Sequence, residues 1–600
     1  MSRMRVRAAL VTGAVGAALL PAFGGAPAAA AVPRTPALPS AIDAYATYQG
    51  QTFCSPTVKV GAAKLANLLK ATYGPASIGI VRSCSVGGQS EHKEGRALDW
   101  MQSLRVPSQR AHVNAFLAWL LAPGADGRPG AMARRLGVMY LGWNNHFWAS
   151  YRADAGWTDL KGCSTDPAKK ASSYDTYCHR NHLHISMSWE GAAGYTSFWS
   201  GAALAAPCDA GWSSGDATPV GAGAGLVPVT PVRVLDSRTG AGLESPCRVT
   251  AAQSWDGTRR DLVAHVTGVG QVPADGVAAV AVRVTAYRTV LPSTTVSVRT
   301  TATGAARPVL TAPSAASYAS TTVVPVASDG TIRLSVDRGS ADLQVDVVGW
   351  VPLAPAPAPA VAPTSGTVHL LQPTLVYDGS RSPLKPGESR TVALGGRSGI
   401  PASGLAGLHL TLTTARTTTS SLVGVLTPAG TTFVGSLRTS TLTTRTTQLL
   451  LPTADGRLVL RNVGPAPAAV RLYAQAWVGA GAVDGAGTLT VLPSPVKVVD
   501  SAARLGLSGP STTAAFRVVT LAPTVPAGAT GVLVAVSAAG GSTDGTLVVG
   551  SWHGVAAVSF GKRQSGHEVL LLPLLPTGRL SFATSSVGTQ VRAWVLGYVT

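Results

Sequence analysis

The sequence predicts a multidomain chain in which one α+β domain is followed by three all-β, sandwich-like repeats. Three observations predict it. Composition changes sharply near residue 210: five of the six cysteines, six of the eleven histidines and seven of the thirteen tryptophans precede it. A Val/Thr/Ala/Gly-rich sequence follows, broken by Gly, Pro and Asp turns as strand-rich proteins are. That second part also repeats one pattern three times.

Composition excludes several classes. With 46% hydrophobic and 13% charged residues the chain is too apolar and too weakly charged for disorder. Mean hydropathy is +0.24, yet beyond the N-terminus no run of about 18 apolar residues suggests a membrane span. No Arg–aromatic stripe or nucleic-acid motif accompanies the net charge of +20, so a nucleic-acid partner is not expected. A basic exported protein is instead drawn to anionic surfaces such as wall polymers.

Residues 1–31 have the layout of a secretory signal peptide. Arg3, Arg5 and Arg7 open it, an apolar stretch runs from Ala8 to Phe23, and small residues lead to Ala31. The protein is therefore expected to be secreted, extracellular or cell-wall associated. Six cysteines suit that compartment and predict disulfides. They allow 15 connectivities, of which sequence order favours Cys54–Cys84, Cys163–Cys178 and Cys208–Cys247.

The first domain is expected over 40–208. Leu65, Leu68 and Leu69 mark one helix; Val113, Phe116, Leu117, Leu120 and Leu121, after Pro107-Ser108, mark another. Gly137 to Trp148, with Asn144-Asn145 at its centre, reads as a hairpin. In His182-Leu183-His184-Ile185-Ser186-Met187, polar and apolar residues alternate, which on a strand puts His182 and His184 on one face. His179 extends the pattern to H-x-x-H-x-H but has the opposite parity to His182 and His184.

A linker is expected over 209–226 and a stiff Pro/Ala linker over 352–366. The repeats fall at 227–351, 367–481 and 489–600. Each opens on a strand ending in Asp (Asp236, Asp378, Asp500) and closes on a strand carrying Trp350, Trp477 or Trp594. They resemble a module at the C-terminal end of exported bacterial wall-associated proteins, which implies extracellular accessory domains, either wall-binding arms or stalk-like spacers.

The chemistry is expected between His92 and His184. Ser90-Glu91-His92-Lys93-Glu94-Gly95-Arg96-Ala97-Leu98-Asp99 fits S-x-H-x-x-G-x-A-x-D, and His179-Arg180-Asn181-His182-Leu183-His184 follows. Together they resemble the zinc D-Ala-D-Ala carboxypeptidases and murein endopeptidases, related to hedgehog-like domains. The resemblance implies one zinc ion on His92, Asp99 and His184, and peptidoglycan as partner. It also implies an Arg, here Arg82, that holds a substrate carboxylate or carbonyl, and places Ser90 at the substrate side. Two imidazoles and one carboxylate with a fourth position open suit a catalytic zinc independently. His182 is expected as acid–base group, with His179 as helper. Carboxypeptidase members often carry Glu where Asn181 stands, so the base is His182 or an acid such as Asp175. A second reading keeps the metal and lacks catalysis: an exported adhesion or wall-scaffold protein.

Overall fold

The computed structural model describes residues 31–163, 172–208, 217–221, 223–251, 261–291, 294–312, 317–353, 366–441, 444–480, 487–511, 515–550, 556–562 and 564–600. The expected signal peptide up to residue 30, half of the first linker (209–216 and 222) and most of the Pro/Ala linker (354–365) lie outside them. The described chain is multidomain and mostly β, with several separate sheets. Among the described residues no helix is long and apolar enough to cross a membrane.

The N-terminal domain is built on one six-stranded sheet. Its strands are β1 (Ile78–Gly79), β2 (Ala97–Trp100), β3 (Val138–Trp143), β4 (His146–Ala149), β5 (Thr158–Asp159) and β6 (Leu183–Met187). The order β1-β2-β6-β3-β4-β5 makes β6 a central strand, flanked by β2 and β3. Leu183, Ile185 and Met187 point into a core shared with α1 (Val60–Tyr73), α2 (Pro107–Leu121) and α3 (Ala131–Leu136). The helices cover that face of the sheet, and the opposite face is left for the histidines. Asn144 and Asn145 adopt left-handed φ of 49° and 68°, as a two-residue hairpin turn between β3 and β4 requires.

Each β repeat has two antiparallel sheets. In the first, Tyr318–Pro325, Val277–Tyr287, Ser340–Pro352 and Val227–Asp236 form one. Leu262–His265, Thr331–Val336, Thr294–Arg299 and Arg307–Ala312 form the other. The same order recurs in the second and third repeats. Val282, Val296 and Leu334 fill the first sandwich, Leu410, Val425 and Leu460 the second, Val534, Val549 and Phe582 the third.

The repeats are not separate spacers on a stalk. Ala279, Ala281, Val323, Leu450, Val478, Leu533, Val569 and Leu571 from all three form one further apolar cluster between them. Small residues permit the approach: a Cβ on Gly407 would lie 2.8 Å from Pro228 of the first repeat, and one on Gly531 would lie 2.2 Å from Leu370 of the second. Gly223-Ala224, just ahead of the first repeat, pairs with Val491-Thr490 of the third, which closes the arrangement.

All six cysteines pair as Cys54–Cys84, Cys163–Cys178 and Cys208–Cys247. The last joins the end of the N-terminal domain to the first repeat. The Cys208 N–H donates to the Arg248 carbonyl at 2.8 Å, the Ser340 hydroxyl donates to Glu190, and Trp189 packs with Val290 and Leu291.

Candidate metal centre

Strand register does the first part of the assembly. Asp99 on β2 lies directly opposite His184 on β6, and Ala97 opposite Ser186. Cross-strand partners share a face, so Asp99, His184 and Ser186 rise from the sheet together. The loop before β2 supplies His92. It forms a one-turn 3-10 helix over Glu91–Glu94, in which the Ser90 hydroxyl accepts from the His92 N–H at 3.4 Å. Gly95 ends that turn with φ 68°, and a Cβ there would lie 2.0 Å from the Thr57 carbonyl, so no other residue fits.

Three imidazoles converge on one carboxylate oxygen. Asp99 Oδ1 is 2.8 Å from His184 Nδ1, 3.1 Å from His92 Nε2 and 3.4 Å from His182 Nε2. His92, His182 and His184 are 2, 5 and 9% exposed. Their other nitrogens settle which atoms carry protons. His92 Nδ1–H donates to the Ile80 carbonyl at 3.0 Å, which leaves Nε2 as a lone pair. His184 Nε2–H donates to the Ser186 hydroxyl at 3.0 Å, and that hydroxyl donates onward to Glu91 Oε2 at 3.3 Å, leaving Nδ1 as a lone pair. His182 Nδ1–H donates to Asn181 Oδ1 at 2.7 Å, leaving its Nε2 free. Lone pairs aimed at an anionic oxygen from under 3.5 Å repel unless a cation sits among them. One ligand atom from each of His92, Asp99 and His184 lies within 4.8 Å of the others, and the same holds for His179, His182 and His184. Such outer hydrogen bonds orient metal-binding imidazoles and raise their basicity.

The electrostatics agree. Burial opposes the charge on Asp99, but His184 and His92, when each carries a proton toward it, outweigh burial and hold the carboxyl well below the usual carboxylate range; a bound cation takes the place of those protons when the rings present lone pairs. Burial lowers His182, with the His184 and His92 rings adding to the effect against the pull of Asp99. His179 is pushed down to about 3, chiefly by burial and then by its His184 and His182 neighbours. Both rings are neutral at pH 7, the form that binds a metal or accepts a proton.

Opposite parity does not take His179 away from the centre. His179 sits in the turn ahead of β6 with a left-handed φ of 53°, so strand parity does not reach it. Its ring centroid lies 5.0 Å from that of His182 and 5.5 Å from that of His184. Gly142 makes the room: it lies opposite His184 across β3–β6, and a Cβ there would lie 2.9 Å from the His179 ring.

Arg82 stands at the rim, its Nη2 4.0 Å from Asp99 Oδ2. Ser90 is engaged as the cap that shapes the loop. Asp175 is not at the centre; it is ion-paired with Arg105 at 2.9 Å and Arg180 at 3.4 Å. Three contributors went unremarked in the sequence. Glu91 receives the Ser186 and Tyr140 hydroxyls, Tyr140 stacks on the His184 ring at 5.5 Å, and Gly142 supplies space. Ser186 shares the alternating face of His184, a signal legible in the sequence; Glu91 and Tyr140 carry none.

Residues 54–171 match the family described as "VldE, C-terminal domain". The match takes in His92 and Asp99 and ends before His179, His182 and His184. Its description says nothing of zinc or of D-alanyl peptides. No curated protein matches the chain.

Proposed function

We propose that the N-terminal domain is a zinc-dependent peptidase or amidase acting outside the cell on peptidoglycan or another peptide containing D-amino acids, with the β repeats as accessory domains. The observation that carries the reading is the convergence of His92 Nε2, His184 Nδ1 and Asp99 Oδ1, each a lone-pair donor with its neighbours already satisfied. Two neutral imidazoles and one carboxylate are a catalytic zinc donor set. When bound, zinc supplies the Lewis acidity that polarises an amide carbonyl.

The chain's own groups do the rest. His182 Nε2 faces the same oxygen and takes the proton from the attacking water, then returns it to the departing amine. Water's hydroxyl ends on the carbonyl carbon and its proton on the amine, so the C–N bond is hydrolysed without a further reactant. Asn181 holds the His182 ring in the tautomer that leaves Nε2 free. Arg82, at the rim with 39% of its side chain exposed, binds the substrate's carboxylate or carbonyl oxygen. His179 stands beside the His182 and His184 rings as a neutral imidazole.

The test is incubation of the protein with purified peptidoglycan, with and without chelator, followed by product analysis. New amino termini that vanish with chelator are expected. Intact wall that co-sediments with the protein favours the non-catalytic wall-binding reading and overturns this one.

A further inference from the structure

The first and second repeats line an open cavity of about 430 Å³ between them. This lies in the range of small-molecule sites, about 300–1,000 Å³, and between two domains, where such sites concentrate. Its walls include Arg233, Thr285, Tyr287, Gln344, Asp346 and Phe433. Buried polar side chains face it: Gln344 is 6% and Thr285 7% exposed. Phe433, by contrast, is 47% exposed, an aromatic ring at the edge of a polar hollow.

The polar groups are held in fixed positions by one another. Arg233 Nε donates to Asp346 at 3.0 Å and the Tyr287 hydroxyl to Gln344 at 2.9 Å. The Arg238 guanidinium lies 3.9 Å over the Tyr287 ring, which pins the ring's orientation. On the floor, Arg283 donates to the Ser436 carbonyl at 2.7 Å; a Cβ on Gly435 would come 2.8 Å from that guanidinium. Of the two guanidiniums in the lining, Arg233 is shared between Asp346 and, at 3.6 Å, Asp236, and Arg283 is engaged by backbone carbonyls of the second repeat. An anion therefore meets two guanidiniums that already have partners, Arg233 on two carboxylates and Arg283 on backbone carbonyls. A neutral, hydroxyl-rich ring suits the walls: its apolar face meets Phe433, and its hydroxyl edge meets Asp346, Gln344 and Thr285.

We propose that this cavity is a carbohydrate site for neutral sugar rings of a glycan chain. The proposal stands apart from the metal reading and does not need it. It assigns the first two repeats a ligand rather than a spacing role.

Calorimetric titration of the full chain with the N-acetylglucosamine trisaccharide tests it, with a sugar-free polyanion as the comparison ligand. Saturable, salt-insensitive binding of the trisaccharide is expected, unchanged by chelator. Phe433→Ala and Asp346→Asn should each weaken it about tenfold or more, while Val463→Ala, exposed elsewhere on the second repeat, leaves it unchanged. Phe433 is exposed enough that its variant should keep the thermal midpoint, so a loss of binding there is not a loss of fold. No saturable binding by the full chain, equal binding by all the variants, or binding only of the polyanion that fades with salt would each overturn the proposal.

Discussion

Asp99 and His184 face each other across neighbouring strands, Oδ1 to Nδ1 at 2.8 Å, so the centre's principal contact is fixed by the hydrogen-bond ladder of the sheet. If these atoms and His92 Nε2 hold zinc, His92→Ala and His184→Ala each lose most bound metal, measured by elemental analysis of purified protein. Full zinc content in both variants would sink the assignment.

His182 is predicted to behave differently. Its Nε2 stands farther from Asp99 Oδ1, at 3.4 Å, than either of the other two rings. His182→Ala should cut hydrolysis by roughly 10²–10⁴-fold, the usual contribution of an acid–base group, with zinc occupancy nearly unchanged. Zinc loss as severe as in His184→Ala would make His182 a ligand; retained activity would put the base elsewhere, with His179 next in line.

Gly142→Ala tests the crowded side of the centre. The new methyl carbon would lie 2.9 Å from the His179 ring, while the β3–β6 pairing itself tolerates Ala. Overpacking of this kind costs about 1–3 kcal/mol. Thermal or denaturant unfolding should show it, and histidine NMR signals should report movement of His179. An unshifted spectrum would show that the ring does not occupy this space.

Cys54–Cys84 closes a separation of 30 residues that runs up to the His92 turn, where Ser55 N–H also donates to the Lys93 carbonyl at 2.8 Å. Opening it with Cys54→Ser plus Cys84→Ser should destabilise the domain by roughly 3–4 kcal/mol. A urea midpoint equal to that of the parent would refute this.

Acid should destabilise the β repeats. Burial pushes His409 down to about 4 from its ordinary 6.5, against a favourable hydrogen bond with Gln475. Between those values the unfolded chain takes up a proton the folded one refuses, so stability falls as pH falls from 6.5 to 4. The loss is about 3 kcal/mol. Glu568 acts with the opposite sign: burial raises its carboxyl well above 4.5, Arg283 notwithstanding, so its contribution falls as pH rises. Glu568→Gln should therefore steepen the acid loss in unfolding midpoints taken across this range, and His409→Gln should flatten it.

Much of this was legible in the chain. The alternation around His184 foretold a strand with its polar residues together, because a central strand must keep its core face apolar. The disulfide pairs followed from sequence order, since each links segments close in the chain. Parity did not decide the place of His179, because parity holds only inside a strand, and a single left-handed residue reverses where its side chain points. Glu91 and Tyr140 were invisible because their roles come from a hydrogen bond between segments 49 residues apart. The common core of the repeats escaped notice for a related reason: Ala279, Gly407 and Gly531 read as weak strand positions until another repeat is seen resting beside them.

The pairing of Gly223-Ala224 with the third repeat sets a limit on how this protein can change over generations. An open array can gain or lose a unit at either end, because each unit touches only its neighbours. Here the last unit is tied back to the segment ahead of the first, and all three line one interior. A duplication would have no seat and a deletion would uncover apolar surface on two sides. Copy number is thus set by closure, and variation should be confined to loops that face outward.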